Sequence, residues 1–178
     1  MNRPIFLIGY MASGKTTLGR ALARATGRRF IDLDFYIEQR YRMKVPEIFS
    51  RHGEAEFRRM ESAMLREAGE MEDVVIACGG GTPCSGDNMD WMLTRGTTVF
   101  LDATVPVMAR RVAQAPGKRP LLDGLDAEAL ENRISGHLQD RLPYYKRAAL
   151  TIPSDRLESR EQIETTLQEL LRLLGREG

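Results

Sequence analysis

The chain has 178 residues, of which 42% are hydrophobic and 29% charged, and its formal net charge at pH 7 is +1. This length and composition fit one globular domain, residues 1–178, with a buried core. Acidic and basic residues are interleaved, so no basic stripe predicts a nucleic-acid partner. Two cysteines are too few for a disulfide framework. No segment approaches the ~18 apolar residues of a membrane span or the pattern of a signal peptide, so we expect a cytoplasmic protein with no membrane partner.

Short apolar runs alternate with amphipathic segments along the chain. Strands are predicted at residues 4–8, 29–34, 73–78, 97–102 and 150–154. Helices are predicted from Thr16 to a stop at Gly27, then at 35–42, from Pro46 with a break at Gly53, and at 54–68, 105–115, 127–145 and up to Leu174. Because the strands are apolar on both faces, we expect an α/β fold with a parallel sheet between two layers of helices.

The first strand leads into a P-loop pattern, Gly9-x4-Gly14-Lys15-Thr16, and a helix follows it. Glycines let backbone N–H groups close around phosphate oxygens, and the helix N-terminus adds partial positive charge. Lys15 can reach the β- and γ-phosphates, and the Thr16 hydroxyl can ligate Mg²⁺. No Asn-Lys-x-Asp motif for reading guanine is present. The pattern therefore predicts a small phosphotransferase rather than a GTPase.

Two carboxylates end the second predicted strand. Asp32 and Asp34 are two residues apart, so on a strand both would project the same way at a carboxyl end, where parallel sheets bind ligands. We expect Asp32 to organise Mg²⁺ through water and Asp34 to bind, or deprotonate, an acceptor hydroxyl. Asp34 could alternatively cap the helix at Phe35. Asp102, which ends the fourth strand, is a competing Mg²⁺ residue.

The acceptor side is predicted from arginines and a glycine run. Arg58 and Glu61 are i,i+3 on one helix, so the carboxylate can orient the guanidinium. The run Gly79–Gly81 follows a buried strand and would let backbone approach a ligand. Arg58 and Arg141 suit a carboxylate, and with Asp34 they suggest a small acid that also carries hydroxyls. A cationic loop with Lys118 and Arg119 could close over the reacting phosphates. No chemistry is assigned to His52 or His137.

Taken in order, these segments resemble the shikimate kinase family. The resemblance rests on the segments GYMASGKTTLGRALA, FIDLDFYIE, EIFSRHGEAEFRRME, CGGGTP, GKRPLL and RLPYYKRAA, which span nearly the whole chain. It implies a three-layer P-loop kinase fold of the nucleoside monophosphate kinase type, with a five-stranded parallel sheet. It also implies a substrate-binding segment at about 33–61, a lid at about 113–125 and the P-loop at 9–16. The implied reaction moves the γ-phosphate of ATP to the 3-hydroxyl of shikimate, on the way to chorismate and the aromatic amino acids.

The resemblance also implies roles for individual residues. The ATP phosphates would be held by residues 12–17, which are Ala12, Ser13, Gly14, Lys15, Thr16 and Thr17. Mg²⁺ would be ligated by Thr16 and supported by Asp32. Shikimate would be bound by Asp34, Arg58, Gly79, Gly80, Gly81 and Arg141. Arg119 would act on the phosphates from the lid, and Arg111, rather than Arg110, would lie against adenine. Lys15, Asp34 and Arg119 would be catalytic in a monomer.

One local expectation and two alternatives accompany this interpretation. Ala12 stands where many members have glycine, and we expect its φ to be negative. A gluconate kinase would share the P-loop but not the set formed by Asp34, the two arginines and the glycine run. A regulatory nucleotide-binding module would typically have lost the lysine, the metal hydroxyl or the acceptor carboxylate, and all three are present.

Overall fold

A computed structural model describes residues 3–114 and 125–176 of the chain. The strands are β1 Ile5–Ile8, β2 Arg29–Asp32, β3 Val74–Ala77, β4 Thr97–Asp102 and β5 Leu150–Pro153. The helices are α1 Lys15–Thr26, α2 Leu33–Tyr41, α3 Val45–Gly69, α4 Asn88–Arg95, α5 Val105–Ala113, α6 Ala127–Tyr145 and α7 Arg160–Arg176. Within these described ranges, no helix is both long enough and apolar enough to cross a membrane.

The strands form one parallel sheet in the order β2-β3-β1-β4-β5. This confirms the predicted α/β fold with a five-stranded parallel sheet. β1 is central, and its residues alternate between two cores: Phe6 and Ile8 belong to one, and Ile5 and Leu7 to the other. Burial on both faces explains why the strands read as continuous apolar runs. The segments after β1, β2 and β3 leave the sheet at the same carboxyl edge, where ligands of such sheets bind.

Two predicted helix boundaries follow from glycines in the left-handed region. α1 ends at Gly27, whose φ is 67°, and its N–H group bonds to carbonyls of the last turn. α3 is broken at Gly53, where φ is 78° and ψ is 172°, as the sequence predicted. The break separates a short first segment from the longer helix that carries Arg58.

The structure corrects the sequence interpretation around the second strand. β2 ends at Asp32, and Asp34 lies in the first turn of α2 rather than on a strand. The Asp32 carboxylate accepts a hydrogen bond from the Phe35 N–H group at 3.3 Å, so Asp32, not Asp34, caps the helix. Asp32 is both the last residue of β2 and the N-cap of α2. The strand therefore ends two residues before the predicted end at Asp34. α4 and the short 3₁₀ turn at Thr82–Cys84 were not predicted from the sequence.

Candidate active site

The P-loop lies between β1 and α1, as predicted. Gly14 is the N-cap residue of α1 with φ 98° and ψ 11°, and no side chain caps the helix. The N-terminus of α1 is therefore suited to an anion. Lys15 Nζ donates hydrogen bonds to the carbonyl oxygens of Gly9 at 2.8 Å and Tyr10 at 2.7 Å. The ammonium group thus lies within the loop.

Ala12 contradicts one expectation from the sequence. Its φ is +62°, in the left-handed region, whereas we expected a negative value. The Ala12 carbonyl oxygen accepts a hydrogen bond from Arg111 at 3.1 Å. The loop path and this contact hold alanine in a conformation that costs it about 1–2 kcal/mol.

A cleft of about 230 Å³ borders the P-loop on the side of α5. Its lining residues are Ala12, Gly14, Lys15, Thr16, Thr17, Arg111 and Leu157. Arg111 donates hydrogen bonds to the carbonyl oxygens of Ser154 at 2.9 Å and Asp155 at 3.0 Å, besides that of Ala12. Arg111 therefore ties the P-loop to the segment after β5, at the wall of the predicted nucleotide site. Its contact with adenine stays a prediction.

The two predicted metal residues are adjacent. The Thr16 hydroxyl donates a hydrogen bond to an Asp32 carboxylate oxygen at 3.2 Å. A hydroxyl and a carboxylate are oxygen donors of the kind that Mg²⁺ prefers, and Mg²⁺ commonly completes its shell with phosphate oxygens and water. Within the part of the chain that the structure describes, no group of three histidine, cysteine or acidic residues could hold a metal by itself. The pair therefore fits Mg²⁺ that arrives with nucleotide. The competing residue Asp102 makes no hydrogen bond with Thr16 among those of the described residues.

Asp34 carries a carboxylate with a perturbed pKa. Burial of the carboxylate, followed by the charges of Asp32 and Glu61, raises the pKa of Asp34 to about 6, while Lys15 lowers it. The residue as a whole still reaches solvent, as expected for a group at the edge of an open cleft. A carboxylate with a pKa near 6 can accept a proton from an acceptor hydroxyl close to neutral pH.

The glycine run lies beside the three charged residues that the sequence predicts for the acceptor site. A Cβ atom on Gly79 would lie 3.1 Å from an Asp34 carboxylate oxygen, and one on Gly80 would lie 3.1 Å from an Arg141 guanidinium nitrogen. A Cβ atom on Gly81 would lie 2.6 Å from an Arg58 guanidinium nitrogen. Each glycine thus leaves room for one of the charged groups that the sequence singled out. Close approach rather than positive φ favours glycine at these three positions, because a Cβ atom would force the neighbouring charged side chains to shift.

Arg58 is held by a buried carboxylate, and Arg141 lies over the ring of Tyr10. Arg58 donates to Glu61 at 2.9 Å, and the buried Glu61 accepts at its other oxygen from the Thr82 hydroxyl at 2.6 Å. Near Arg141, the Tyr145 hydroxyl donates to the Gly80 carbonyl oxygen at 2.6 Å. Glu61 was anticipated as an orienting group, because i,i+3 spacing shows in the sequence.

Three residues of this region were missed: Tyr10, Thr82 and Tyr145. Tyr145 is four residues after Arg141, and this helical spacing is a signal that could have been used. The contacts of Tyr10 and Thr82 join segments that are far apart in the chain, so no local sequence pattern predicts them. Arg119 and most of the predicted lid lie outside the described residues.

A phosphate-binding loop that adjoins a carboxylate and two arginines defines a P-loop phosphotransferase with an anionic small-molecule acceptor. The family model described as shikimate kinase matches residues 11–172. The chain belongs to the shikimate kinase family.

Individual members of the family can be aligned with nearly the whole chain. A shikimate kinase from Bacteroides fragilis is 51% identical over 171 residues, which are 96% of each chain. The crystal structure of a shikimate kinase from Bacteroides thetaiotaomicron has a TM-score of 0.94 and 47% identity, and covers 97% of this chain and 98% of its own. A shikimate kinase from Acinetobacter baumannii in complex with shikimate has a TM-score of 0.86 and 32% identity, and covers 99% and 95%. The two solved structures share the fold of this chain.

Proposed function

We propose that this protein transfers the γ-phosphoryl group of ATP to the 3-hydroxyl of shikimate, giving shikimate 3-phosphate and ADP. The observation that carries the proposal is the convergence of Asp34, Arg58 and Arg141 on the glycine run beside the P-loop. Membership of the shikimate kinase family and the relative that binds shikimate support it. The reaction belongs to the shikimate pathway of aromatic amino acid synthesis.

The acceptor is held at its carboxylate and at its hydroxyls. Arg58 and Arg141 pair with the carboxylate, because a planar guanidinium matches it with two parallel hydrogen bonds. Gly79–Gly81 let the ring approach the backbone, since a side chain there would collide with the charged groups. Asp34 binds the hydroxyl that reacts.

In the chemical step, the 3-oxygen forms a bond to the γ-phosphorus as the bond to the β,γ-bridging oxygen breaks. ADP leaves with that electron pair, and the hydroxyl proton moves to the Asp34 carboxylate. The P-loop N–H groups and Lys15 stabilise the charge that develops on the phosphoryl oxygens. Arg119 is proposed to add positive charge from the lid.

Thr16 and Asp32 are the residues that would hold Mg²⁺. Bound there with nucleotide, the ion would neutralise phosphate charge. The two side chains lie 3.2 Å apart, and this proximity supports a common role at one ion.

The discriminating experiment is a coupled assay of ADP release with shikimate, gluconate or no acceptor. Turnover that depends on shikimate supports the proposal. Turnover with gluconate would instead support a gluconate kinase, and ATP binding without any turnover would support a regulatory module. Lys15→Ala is expected to abolish turnover, because it removes the positive charge that would contact the ATP phosphates.

Arg58→Ala tests the carboxylate contact. We expect the KM for shikimate to rise about 10- to 100-fold, the range for losing a charge-assisted hydrogen bond, and the KM for ATP to change little. Arg51→Ala is the matched control, because Arg51 is exposed in the short segment of α3 before the break at Gly53 and pairs only with Glu47 among the described residues. The opposite pattern, a raised KM for ATP alone, would refute the assignment.

We further propose that the protein acts as a cytoplasmic monomer whose partner is a small molecule, with neither nucleic acid nor membrane bound. The near-neutral charge balance supports the absence of a nucleic-acid partner. Size-exclusion chromatography with light scattering is the check, and a dimer mass would overturn the monomer.

A further inference from the structure

We propose that Tyr10 is a positioning residue for the acceptor site: its ring supports the Arg141 guanidinium, and its hydroxyl fixes the helix that carries Arg141. The inference rests on the proposed function, because it concerns the arginine assigned to the shikimate carboxylate. Tyr10 itself lies in the P-loop, between Gly9 and Gly14, where it was not expected to take part in acceptor binding.

The contact with Arg141 has the geometry of a cation–π interaction. The guanidinium carbon of Arg141 lies 5.4 Å from the centroid of the Tyr10 ring. Tyr10 is only 1% exposed, so the ring is a fixed part of the core beneath the arginine. Interactions of this type are strongest when the partners are shielded from water. The ring therefore limits where a long and otherwise flexible side chain can place its charge.

The hydroxyl of Tyr10 makes a second link to the same helix. It lies 3.0 Å from Nδ1 of His137, which is one turn before Arg141 on α6. Burial, and then the charges of Arg141 and Arg133, lower the pKa of His137, which favours the neutral ring that can accept this hydrogen bond. Ring and hydroxyl together attach α6 at two points one helical turn apart.

The backbone of Tyr10 is also held. Its carbonyl oxygen accepts hydrogen bonds from Lys15 Nζ at 2.7 Å and from the Ser13 N–H group at 3.2 Å. Tyr10 is thus anchored in the phosphate loop on one side and touches the acceptor arginine on the other. Its position sets the distance between the two binding sites across the loop.

The first test is a double-mutant cycle on kcat/KM for shikimate, which the initial slope gives even without saturation. Tyr10→Leu removes the ring, and we expect a fall of about three- to tenfold with the KM for ATP nearly unchanged. In an Arg141→Gln background the same change is expected to have no further effect, because the charge that the ring supports is gone. Tyr10→Phe keeps the ring and is expected to lose less than Tyr10→Leu.

A second measurement keeps the proposal testable if Tyr10→Leu does not fold. Fluorinated phenylalanines placed at position 10 keep the shape of the ring and weaken its negative face stepwise. We expect log(kcat/KM) for shikimate to fall with each fluorine. The matched control is the same fluorinated series at Phe30, whose ring centroid lies 5.7 Å from the guanidinium carbon of Arg20, and it is expected to leave both KM values unchanged.

Two outcomes would overturn the proposal: an equal loss from Tyr10→Leu with and without Arg141, or a flat response to fluorination. Neither would affect the proposed function, which fails only if the unmodified protein does not phosphorylate shikimate.

Discussion

If Asp34 is the proposed base, its raised pKa predicts that catalysis is sensitive to pH near neutrality. With a pKa raised to about 6, the carboxylate is ionised and able to accept a proton above this pH, and it is protonated below it. We expect kcat/KM for shikimate, at saturating MgATP, to be constant above about pH 7. It should fall about tenfold per unit below pH 6. A pH–rate profile from 5 to 8.5 measures this.

Asp34→Asn provides the control for that profile. The variant is expected to retain little activity, and what remains should lack the inflection near pH 6, because no carboxylate titrates at this position. An inflection that persists in the variant would assign the titration to another group, and a wild-type inflection near pH 4 would contradict the raised pKa.

Ala12 is a residue that the protein holds in an unfavourable conformation. Ala12→Gly removes the cost of a left-handed alanine, about 1–2 kcal/mol, and adds about 0.4–1 kcal/mol of unfolded-chain entropy. We therefore expect the free energy of unfolding to rise by about 0.5–1 kcal/mol, measured by urea titration. Ala63→Gly, at an exposed site within α3, is expected to lower it by about 1 kcal/mol. Destabilisation of similar size by both changes would contradict the left-handed assignment.

At the level of elements, the break in α3 fixes where Arg58 lies relative to the rest of the acceptor site. Gly53 has φ 78° and ψ 172°, a region that only glycine enters readily, and a Cβ atom there would meet nothing within 4 Å. Gly53→Ala is therefore expected to cost about 1–3 kcal/mol through the backbone alone. If the backbone relaxes toward a continuous helix, Arg58 shifts and the KM for shikimate rises more than that for ATP.

Gly136 is the control for this prediction. It lies exposed within α6, has no positive φ, and likewise has open space where its Cβ atom would be. Gly136→Ala is expected to raise the free energy of unfolding by about 0.5–1 kcal/mol. Equal effects of the two substitutions in thermal denaturation would show that the break at Gly53 is not required.

The elements also show how far the sequence determines this fold. Apolar runs and glycine stops predicted every strand and the break at Gly53, because burial on both faces and positive φ leave local signals. The end of β2 was misplaced because Asp32 serves as both strand end and helix cap. The contacts of Thr82 with Glu61, and of Tyr10 with His137, join residues 21 and 127 positions apart, so no local pattern could predict them.

At the level of the whole molecule, the residues of the proposed acceptor site come from several elements. Asp34 comes from α2, Arg58 from α3 and Arg141 from α6, and the glycine run follows β3. The sheet that joins them is continuous from β2 to β5. We therefore expect the chain to unfold as the single domain predicted from its length, in one cooperative transition by differential scanning calorimetry. Two separate transitions would contradict this.

Shikimate is expected to raise the temperature of this single transition, because its proposed contacts connect α2 and α3 with α6. At a concentration 100 times its Kd, a ligand that binds only the folded state adds about 2.7 kcal/mol. For a domain of this size the gain corresponds to a rise in Tm of about 5–10 °C. At the same concentration, Arg58→Ala should lose about half of the rise or more and Arg51→Ala none of it, with gluconate as the ligand control. A rise of the same size in Arg58→Ala would mean that shikimate binds elsewhere, whatever the turnover assay shows.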